Sequence, residues 1–208
     1  MAVGPRFFTN IQISLPEEEI RRRLGYNQKH NIAGVEELSD LRRLMDEAAG
    51  FIEVRGSLIR QKIWVAGEKI FFPDGSFFES RQTAKLLTGC TEALLMGATA
   101  GKGIIKEISR LTEAGEMRRV VVYDAAASEI VDAGFNWMRD LVQREVLREG
   151  GRMIRHRFSA GYGDLALSNQ KYFHKILELK QLNVKLTDDY ILVPEKSVTA
   201  ITGITFGN

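Results

Sequence analysis

The run Thr91–Thr99, T-E-A-L-L-M-G-A-T, is apolar along most of its length and predicts a buried strand. Two helical segments follow it, Gly103–Ala114 and a long alanine-rich segment over Arg118–Arg148. Two glycines, Gly150 and Gly151, mark the end of the second segment, because glycine readily adopts the backbone conformation found after helices. This order predicts a domain in which helices pack on a sheet.

The chain before this strand begins with an alternating segment and two helices. Residues Phe7–Leu15 alternate between apolar and polar side chains and predict a strand that stops at Pro16. A short helix is predicted from Pro16 to Gly25, with acidic residues in its first turn, where the helix dipole favours them. Apolar residues at helical spacing predict a second helix over Val35–Ala49.

A hairpin and another short helix are predicted between these helices and the buried strand. Ser57–Phe72 contains two β-rich runs on either side of Gly67 and Glu68, which form a plausible hairpin turn. Pro73–Gly75 is a further turn signal, and Ser80–Leu87 predicts a short helix.

The last third of the chain combines a loop, a helix and short strands. Arg152–Phe158 is predicted to be extended, Ser159–Leu167 to be a loop, and Ser168–Gln181 to be a helix with Ser168 as its N-cap. The remaining strand-like runs are Val184–Thr187, Tyr190–Val193 and Val198–Phe206. Antiparallel strands with segregated helices favour an α+β fold over a regular βαβ order. We predict one domain over residues 1–208, with an N-terminal α/β extension (1–80) and a core that carries the ligand loop (81–208).

Composition excludes several classes of protein. The 208-residue chain has a formal net charge of +2, with cations and anions interspersed, so a nucleic-acid partner is not expected. The basic run Arg21–Arg23 is interpreted as a solvent-facing helix surface. A single cysteine, Cys90, excludes an internal disulfide and a cysteine-rich metal site, and it fits a reducing compartment. No secretory signal and no run of about 20 apolar residues is present, so we expect a cytoplasmic protein without a membrane partner.

Most short motifs are better explained by structure than by chemistry. The segment Gly97–Gly103, G-A-T-A-G-K-G, has three residues between its first and middle glycines and no hydroxyl after its lysine, so it is interpreted as a tight strand-to-helix turn and not as a P-loop. Asp188 and Asp189 fit a turn between strands. None of the three histidines has a partner at metal-ligand spacing; these are His30, His156 and His174.

The segment Arg157–Gly163, R-F-S-A-G-Y-G, is the best candidate for ligand binding. Arginine offers a planar set of donors that suits a carboxylate. The glycines allow the backbone to approach a flat ligand closely, and Tyr162 adds an aromatic surface with a polar tip. The residues alone indicate a loop for a small molecule with a carboxylate and a ring. An ordinary glycine-rich turn beside a surface arginine is the alternative.

A longer stretch around this loop resembles a known family. R-F-S-A-G-Y-G-D, S-N-Q-K-Y-F and V-K-L-T-D-D-Y-I-L-V-P-E-K-S-V-T-A-I-T-G together resemble the S-adenosylmethionine-binding activation domain of cobalamin-dependent methionine synthases. Two earlier stretches, E-E-E-I-R-R-R-L-G-Y and L-L-T-G-C-T-E-A-L-L-M-G-A-T-A-G, are similar to stand-alone activation-domain homologues linked to corrinoid methyltransferases.

The resemblance implies an activation-domain fold and a role in reactivating an oxidised cobalamin. It implies that S-adenosylmethionine is bound here and presents its methyl group to cobalamin carried by a methionine synthase partner, with the electron supplied by a flavodoxin-like or other donor. Arg157, Ser159, Gly161 and Tyr162 match the family's ligand loop, and Asp132 aligns with a carboxylate that receives the ligand's ammonium. No independent catalytic centre is evident.

The sequence also departs from the family pattern. The loop reads R-F-S-A-G-Y where the family has R-P-A-P-G-Y, so it lacks the prolines that fix φ. A D-W-T-like segment and the tyrosine-bearing hairpin that follows the last strand in the family have no counterpart here. These departures leave two alternatives open, which are a non-catalytic corrinoid-protein interaction module and an activator of another corrinoid methyltransferase. A nucleotide-binding enzyme that uses Gly97–Gly103 is the least favoured hypothesis.

Overall fold

The computed structural model describes residues 4–26 and 35–207, so His30 lies outside the described residues. The strands are β1 (Arg6–Phe8), β2 (Arg55–Lys62), β3 (Trp64–Ala66), β4 (Lys69–Phe71), β5 (Phe77–Glu79), β6 (Glu92–Thr99), β7 (Gly151–Met153), β8 (Lys185–Leu186), β9 (Leu192–Val193) and β10 (Ser197–Phe206). The helices are α1 (Glu17–Arg23), α2 (Val35–Ala49), α3 (Arg81–Leu86), α4 (Gly103–Glu113), α5 (Met117–Arg148) and α6 (Gln170–Ile176), with 3-10 turns at Leu167–Asn169 and Leu179–Leu182.

An antiparallel sheet with the strand order β1-β2-β6-β10-β7 forms the centre of the molecule. Strand β6 pairs along its whole length with β2 on one side and β10 on the other. Leu94 and Met96 face one hydrophobic cluster, whereas Ala93 and Leu95 face the other. Because both faces are covered, the strand is an almost continuous apolar run and not an alternating one.

Helices α1, α2, α4 and α5 cover one face of this sheet. The 32-residue helix α5 packs against the strands through small and large side chains, including Ala126, Ala127 and Phe135. Gly134 marks a close approach, because a Cβ atom there would lie 2.6 Å from Cγ1 of Val54. The alanine-rich sequence of α5 therefore reflects close contact with the sheet.

The opposite face is covered by a mixed layer. It contains a small sheet of β3, β4 and β5, the helices α3 and α6, and the pair β8 and β9. Phe72, Phe78 and Phe173 are buried in the core of this layer, and their rings lie in edge or tilted contacts. The pairing of β3 with β4 confirms the hairpin turn predicted around Gly67 and Glu68, although most of the first predicted run belongs to β2 in the central sheet.

The α+β prediction is confirmed, because helices pack on an antiparallel sheet. Strands from both sides of residue 80 pair within the central sheet, since β2 lies beside β6. The division at residue 80 stays a prediction. No helix among the described residues is long and apolar enough to cross a membrane.

Three local predictions were wrong in part. Of the predicted strand Phe7–Leu15, only Phe7 and Phe8 pair with β2, although Ile11 is buried and its N–H donates to the carbonyl of Val54. The predicted helix Ser168–Gln181 is interrupted by Glu178 at φ 48°, and the side chain of Ser168 does not cap it. In the predicted strand Tyr190–Val193 only Leu192 and Val193 pair, since Tyr190 has a φ of 64°.

Candidate functional site

A cleft of about 610 Å³ lies between α5, the loop after Arg157 and the beginning of β10. Both polar and apolar side chains line it. The lining residues are Arg23, Gln82, Ser128, Val131, Asp132, Phe135, Arg157, Phe158, Ser159, Tyr162, Gly163, Glu195, Lys196, Val198, Thr199 and Ala200. We call it the α5 cleft. Its volume is in the range of small-molecule sites, which is roughly 300–1,000 Å³.

The guanidinium of Arg157 is fixed in this cleft by three neighbours. Its Nη2 donates to Oδ1 of Asp132 at 2.9 Å, and its Nη1 donates to Oδ1 of Asn136 at 3.0 Å. Its Cζ lies 4.8 Å from the centre of the Phe135 ring, which adds a cation–π contact. On α5, Phe135 and Asn136 follow Asp132 by three and four residues, so one side of the helix orients the arginine.

This arrangement leaves hydrogen-bonding capacity on both charged groups. A guanidinium has five N–H donors, and the described residues accept from two of them in Arg157. Within the described residues, the ion pair uses only Oδ1 of Asp132. Both side chains are partly open to solvent, at 31% for Arg157 and 39% for Asp132. The pair can therefore persist while each member binds a further charged group.

Two more cations at the cleft are paired with acids of α5. The Nε atom of Arg23 lies 2.5 Å from Oε1 of Glu129. The Nζ atom of Lys196 lies 2.7 Å from Oδ1 of Asp124 and donates to Oγ of Ser128 at 3.0 Å. Each of the three cations at this cleft therefore faces a carboxylate of the same helix.

Backbone hydrogen bonds close the loop after Arg157. The N–H of Gly161 donates to the carbonyl of Leu165 at 2.8 Å, and the N–H of Leu165 donates to the carbonyl of Tyr162 at 3.0 Å. Gly161 has a φ of 88°, which an L side chain rarely adopts. The turn therefore depends on glycine at this position.

Asp164 attaches the loop to the beginning of α3. Its carboxylate accepts from Oγ of Ser80 at 2.5 Å and from the backbone N–H of Arg81 at 2.8 Å. The Ser80 hydroxyl first, and then the backbone N–H groups of Gln82 and Arg81, hold the pKa of Asp164 below its ordinary value. Ser80 also accepts from the N–H of Thr83 as the N-cap of α3, as its residue type favours.

Four of the five sequence-predicted site residues line the α5 cleft, namely Asp132, Arg157, Ser159 and Tyr162. The Tyr162 side chain is among the most exposed large side chains described, at 72%. Gly161 does not line the cleft. A Cβ atom there would lie 3.1 Å from Cδ1 of Leu167, so Gly161 lies in the turn behind the cleft wall. The ligand-binding roles of all five residues stay predictions.

Several cleft residues escaped the sequence reasoning. Phe135 lines the cleft and Asn136 accepts from Arg157; both follow Asp132 at helical spacing, a signal that could have found them. Arg23 and Lys196 carry no local signal, because only the tertiary fold brings α1 and β10 beside α5. Thr199 donates to Oε1 of the buried Gln170 at 2.5 Å, a contact that no sequence pattern indicates.

The other motifs have the structures expected of them. Gly101 has a φ of 80°, and a Cβ atom on Gly103 would lie 2.6 Å from the carbonyl oxygen of Phe51, which confirms the tight turn. His174 contacts the carbonyl of Val184 through Nε2 at 3.0 Å. No group of three or more potential metal ligands occurs in the part of the chain that the structure describes.

Comparison with known proteins identifies the fold. No family model matches the chain, and no curated protein matches it. A solved structure of the MetH reactivation domain bound to AdoHcy superposes with a TM-score of 0.68 at 13% sequence identity. The match covers 97% of this chain and 78% of that one. This chain has the fold of the MetH reactivation domain. The fold that the sequence resemblance implied is thereby confirmed.

Proposed function

We propose that the α5 cleft binds S-adenosylmethionine and that the protein reactivates a cobalamin-dependent methionine synthase in trans. The observation that carries this proposal is the pairing of Arg157 with Asp132 inside one cleft of a reactivation-domain fold. The solved MetH reactivation domain to which this chain is similar has AdoHcy bound, which is the demethylated form of the same ligand.

The amino-acid end of the ligand matches the paired charges. Its carboxylate accepts from the remaining N–H groups of Arg157, for which the planar fork of donors is suited. Its ammonium donates to Asp132, whose Oδ2 atom is not used by the ion pair with Arg157. The amino-acid end is itself a zwitterion, so it preserves the balance of charge between these two side chains, and the positive charge of the sulfonium lies outside that end.

The remaining walls suit the rest of the ligand. Ser159 and Gly163 bring polar backbone close to the cleft, and Tyr162 stands exposed at its mouth. Phe158, Val198 and Ala200 provide apolar surface for the adenosine part. When bound, S-adenosylmethionine supplies the methyl group and the partner's cobalamin receives it. This chain contributes binding and orientation of the ligand.

Calorimetry with S-adenosylmethionine and S-adenosylhomocysteine tests the binding step. Arg157→Ala should weaken binding by about 1.5–3 kcal/mol, the range for hydrogen bonds to charged groups. Arg155→Ala is the matched control, because Arg155 is exposed, lies two residues away and does not line the cleft. Absence of binding to the wild-type protein, alone and with a cobalamin-bearing partner, contradicts the proposal. Equal losses in both variants would do the same.

A reconstituted reaction tests the action in trans. The partner is a methionine synthase that lacks its own activation domain and holds cob(II)alamin, with a flavodoxin-like protein as electron donor. We expect methylcobalamin to form only when this chain and S-adenosylmethionine are both present, and absorbance spectra report its formation. Complex formation without methylation would instead support a non-catalytic interaction module. We expect both proteins in the cytoplasm, where such a donor is available.

A further inference from the structure

A second cleft, of about 620 Å³, is lined by three lysines and no carboxylate. Lys102 immediately precedes α4, Lys180 lies in the second 3-10 turn, and Lys185 begins β8. His174 and the apolar side chains Val184 and Leu186 also line it. We call it the lysine cleft. No residue of the α5 cleft contributes to it.

The three cleft lysines have no acidic partner among the described residues. Among the described residues, lysine ion pairs occur at Lys69 with Glu79 and at Lys196 with Asp124. All three cleft lysines are exposed, and none lies within 4.0 Å of a carboxylate oxygen of the residues that the structure describes. Three uncompensated positive charges around one concavity create a field that attracts anions.

A partly buried arginine, Arg55, adds positive charge near this cleft. Arg55 lies on β2 opposite Thr99, and a Cβ atom on Gly101, the residue before Lys102, would lie 3.7 Å from its Nη2. Its side chain is 15% exposed, and its Nε atom has no hydrogen-bond partner among the described residues. The carboxylate of Glu53 is 3.9 Å from that atom, at the limit of an ion pair. This guanidinium is therefore poorly compensated for a group so buried.

Arg55 points to the same side of the sheet as the lysine cleft. Ser57, two residues further along β2, donates from Oγ to the carbonyl of Leu177 at 2.7 Å. Side chains two residues apart share one face of a strand, so Arg55 lies on the face covered by α6 and the second 3-10 turn. That turn carries Lys180. The lysines and the arginine thus belong to one positively charged region.

The beginning of α4 also contributes positive charge to this region. Lys102 occupies its N-cap position without a side-chain cap, so the first N–H groups of an 11-residue helix receive no acceptor from that residue. The helix dipole places partial positive charge at this end. The dipole adds to the charge of the lysines.

We infer that the lysine cleft binds a phosphate-bearing small molecule of about nucleotide size. Ammonium groups act as strongly hydrated point charges and suit phosphate oxygens, whereas the apolar wall of Val184 and Leu186 suits an organic part. His174 stabilises this wall. A carbonyl oxygen only accepts, so Nε2 carries the hydrogen that is donated to Val184. Phosphate hydrolysis forms no part of the inference.

Calorimetry with inorganic pyrophosphate and with ATP, at low ionic strength, tests the site on the whole chain. Pyrophosphate is the primary probe, because the adenine of ATP can also enter the α5 cleft. We expect the wild-type protein to bind pyrophosphate. The double variant Lys180→Ala/Lys185→Ala should lower the affinity by about tenfold or more. Tighter binding of ATP than of pyrophosphate, with the same loss in this variant, would show that the apolar wall takes part.

The control removes the same amount of charge elsewhere. The control variant is Lys62→Ala/Lys85→Ala, which changes one lysine on β2 and one on α3; both are exposed, and neither lines the lysine cleft. This variant should bind pyrophosphate within about twofold of wild type. Arg157→Ala should bind it equally well, since that residue belongs to the other cleft. No pyrophosphate binding to the wild type, or equal loss in both double variants, overturns the inference. Thermal unfolding checks that every variant is folded.

Discussion

The two clefts of this molecule are similar in volume but opposite in how their charges are arranged. In the α5 cleft, Arg157, Arg23 and Lys196 each face a carboxylate of α5. In the lysine cleft, the cations have no such partner among the described residues. Paired charges along one helix suit a ligand that carries both positive and negative charge, whereas unpaired lysines suit an anion.

This difference has a structural origin. The α5 cleft lies where a long helix with several acids borders the sheet, and α1, β10 and the loop after Arg157 all bring cations to that helix. The lysine cleft is formed mainly by short segments, β8 and a 3-10 turn, and none of its lining residues is acidic. The acids of α5 therefore account for the balance of charge in the first cleft.

Reversing the charge of Arg157 should have the largest effect. Arg157→Glu places two carboxylates together and repels the carboxylate of S-adenosylmethionine, so we expect affinity to fall by about a hundredfold or more. The free energy of unfolding should change by about 1 kcal/mol or less, because the ion pair is partly exposed. Calorimetry and urea unfolding measure the two quantities.

Arg155→Glu is the control for this charge reversal, since it makes the same change two residues away on an exposed side chain. It should leave the affinity for S-adenosylmethionine within about threefold of wild type. If the two reversals weaken binding equally, the effect is a general one of net charge. The contrast between the clefts would then have no bearing on ligand choice.

Salt should weaken ligand binding at the two clefts to different degrees, and this effect should be smaller than that of the charge reversal. Raising ionic strength from about 0.01 M to about 0.15 M shortens the Debye length from about 30 Å to about 8 Å. Pyrophosphate binding at the lysine cleft should weaken by about tenfold, because it depends on uncompensated charge. Binding of S-adenosylmethionine should change by less than about threefold, because its amino-acid end meets a balanced pair. Equal salt dependence of the two ligands would contradict the comparison.

Much of the fold was predictable from the sequence, since its signals are local. The continuous apolar run of β6 and the long periodic helix α5 were both identified, and so was the hairpin at Gly67. The order of strands was not predictable, because it depends on pairing between segments distant in sequence. The break at Glu178 also escaped, since neither proline nor glycine marks it.

The candidate site was predictable to a lesser degree. Arg157 and Tyr162 stand in a distinctive loop, and Asp132 came from family resemblance. The fold alone brings Arg23 and Lys196 to the same cleft, so no local pattern could name them. The lysine cleft escaped for the same reason, since its three lysines come from separate segments.

Removing the carboxylate of Asp164 should have the smallest effect on binding, because this residue supports the α5 cleft from outside. Hydrogen bonds from Ser80, and from the backbone of Gln82 and Arg81, lower the pKa of Asp164 from its ordinary 3.8. A lowered folded-state pKa stabilises the protein at pH values above 3.8, and this stabilisation is lost as the pH falls through the folded-state pKa. Asp164→Asn should therefore be less stable than wild type near neutral pH, and the difference should shrink below pH 3.8.

Urea unfolding as a function of pH measures that difference. Asp189→Asn is the control, because it makes the same substitution at an exposed residue in the turn between β8 and β9. The control should show no comparable gap at neutral pH. Asp164→Asn should also weaken the binding of S-adenosylmethionine modestly, since the loop that carries Tyr162 is then less firmly attached to α3. It should leave pyrophosphate binding unchanged, because α3 and this loop do not line the lysine cleft. A pyrophosphate loss in Asp164→Asn would show that the two clefts are coupled and not independent.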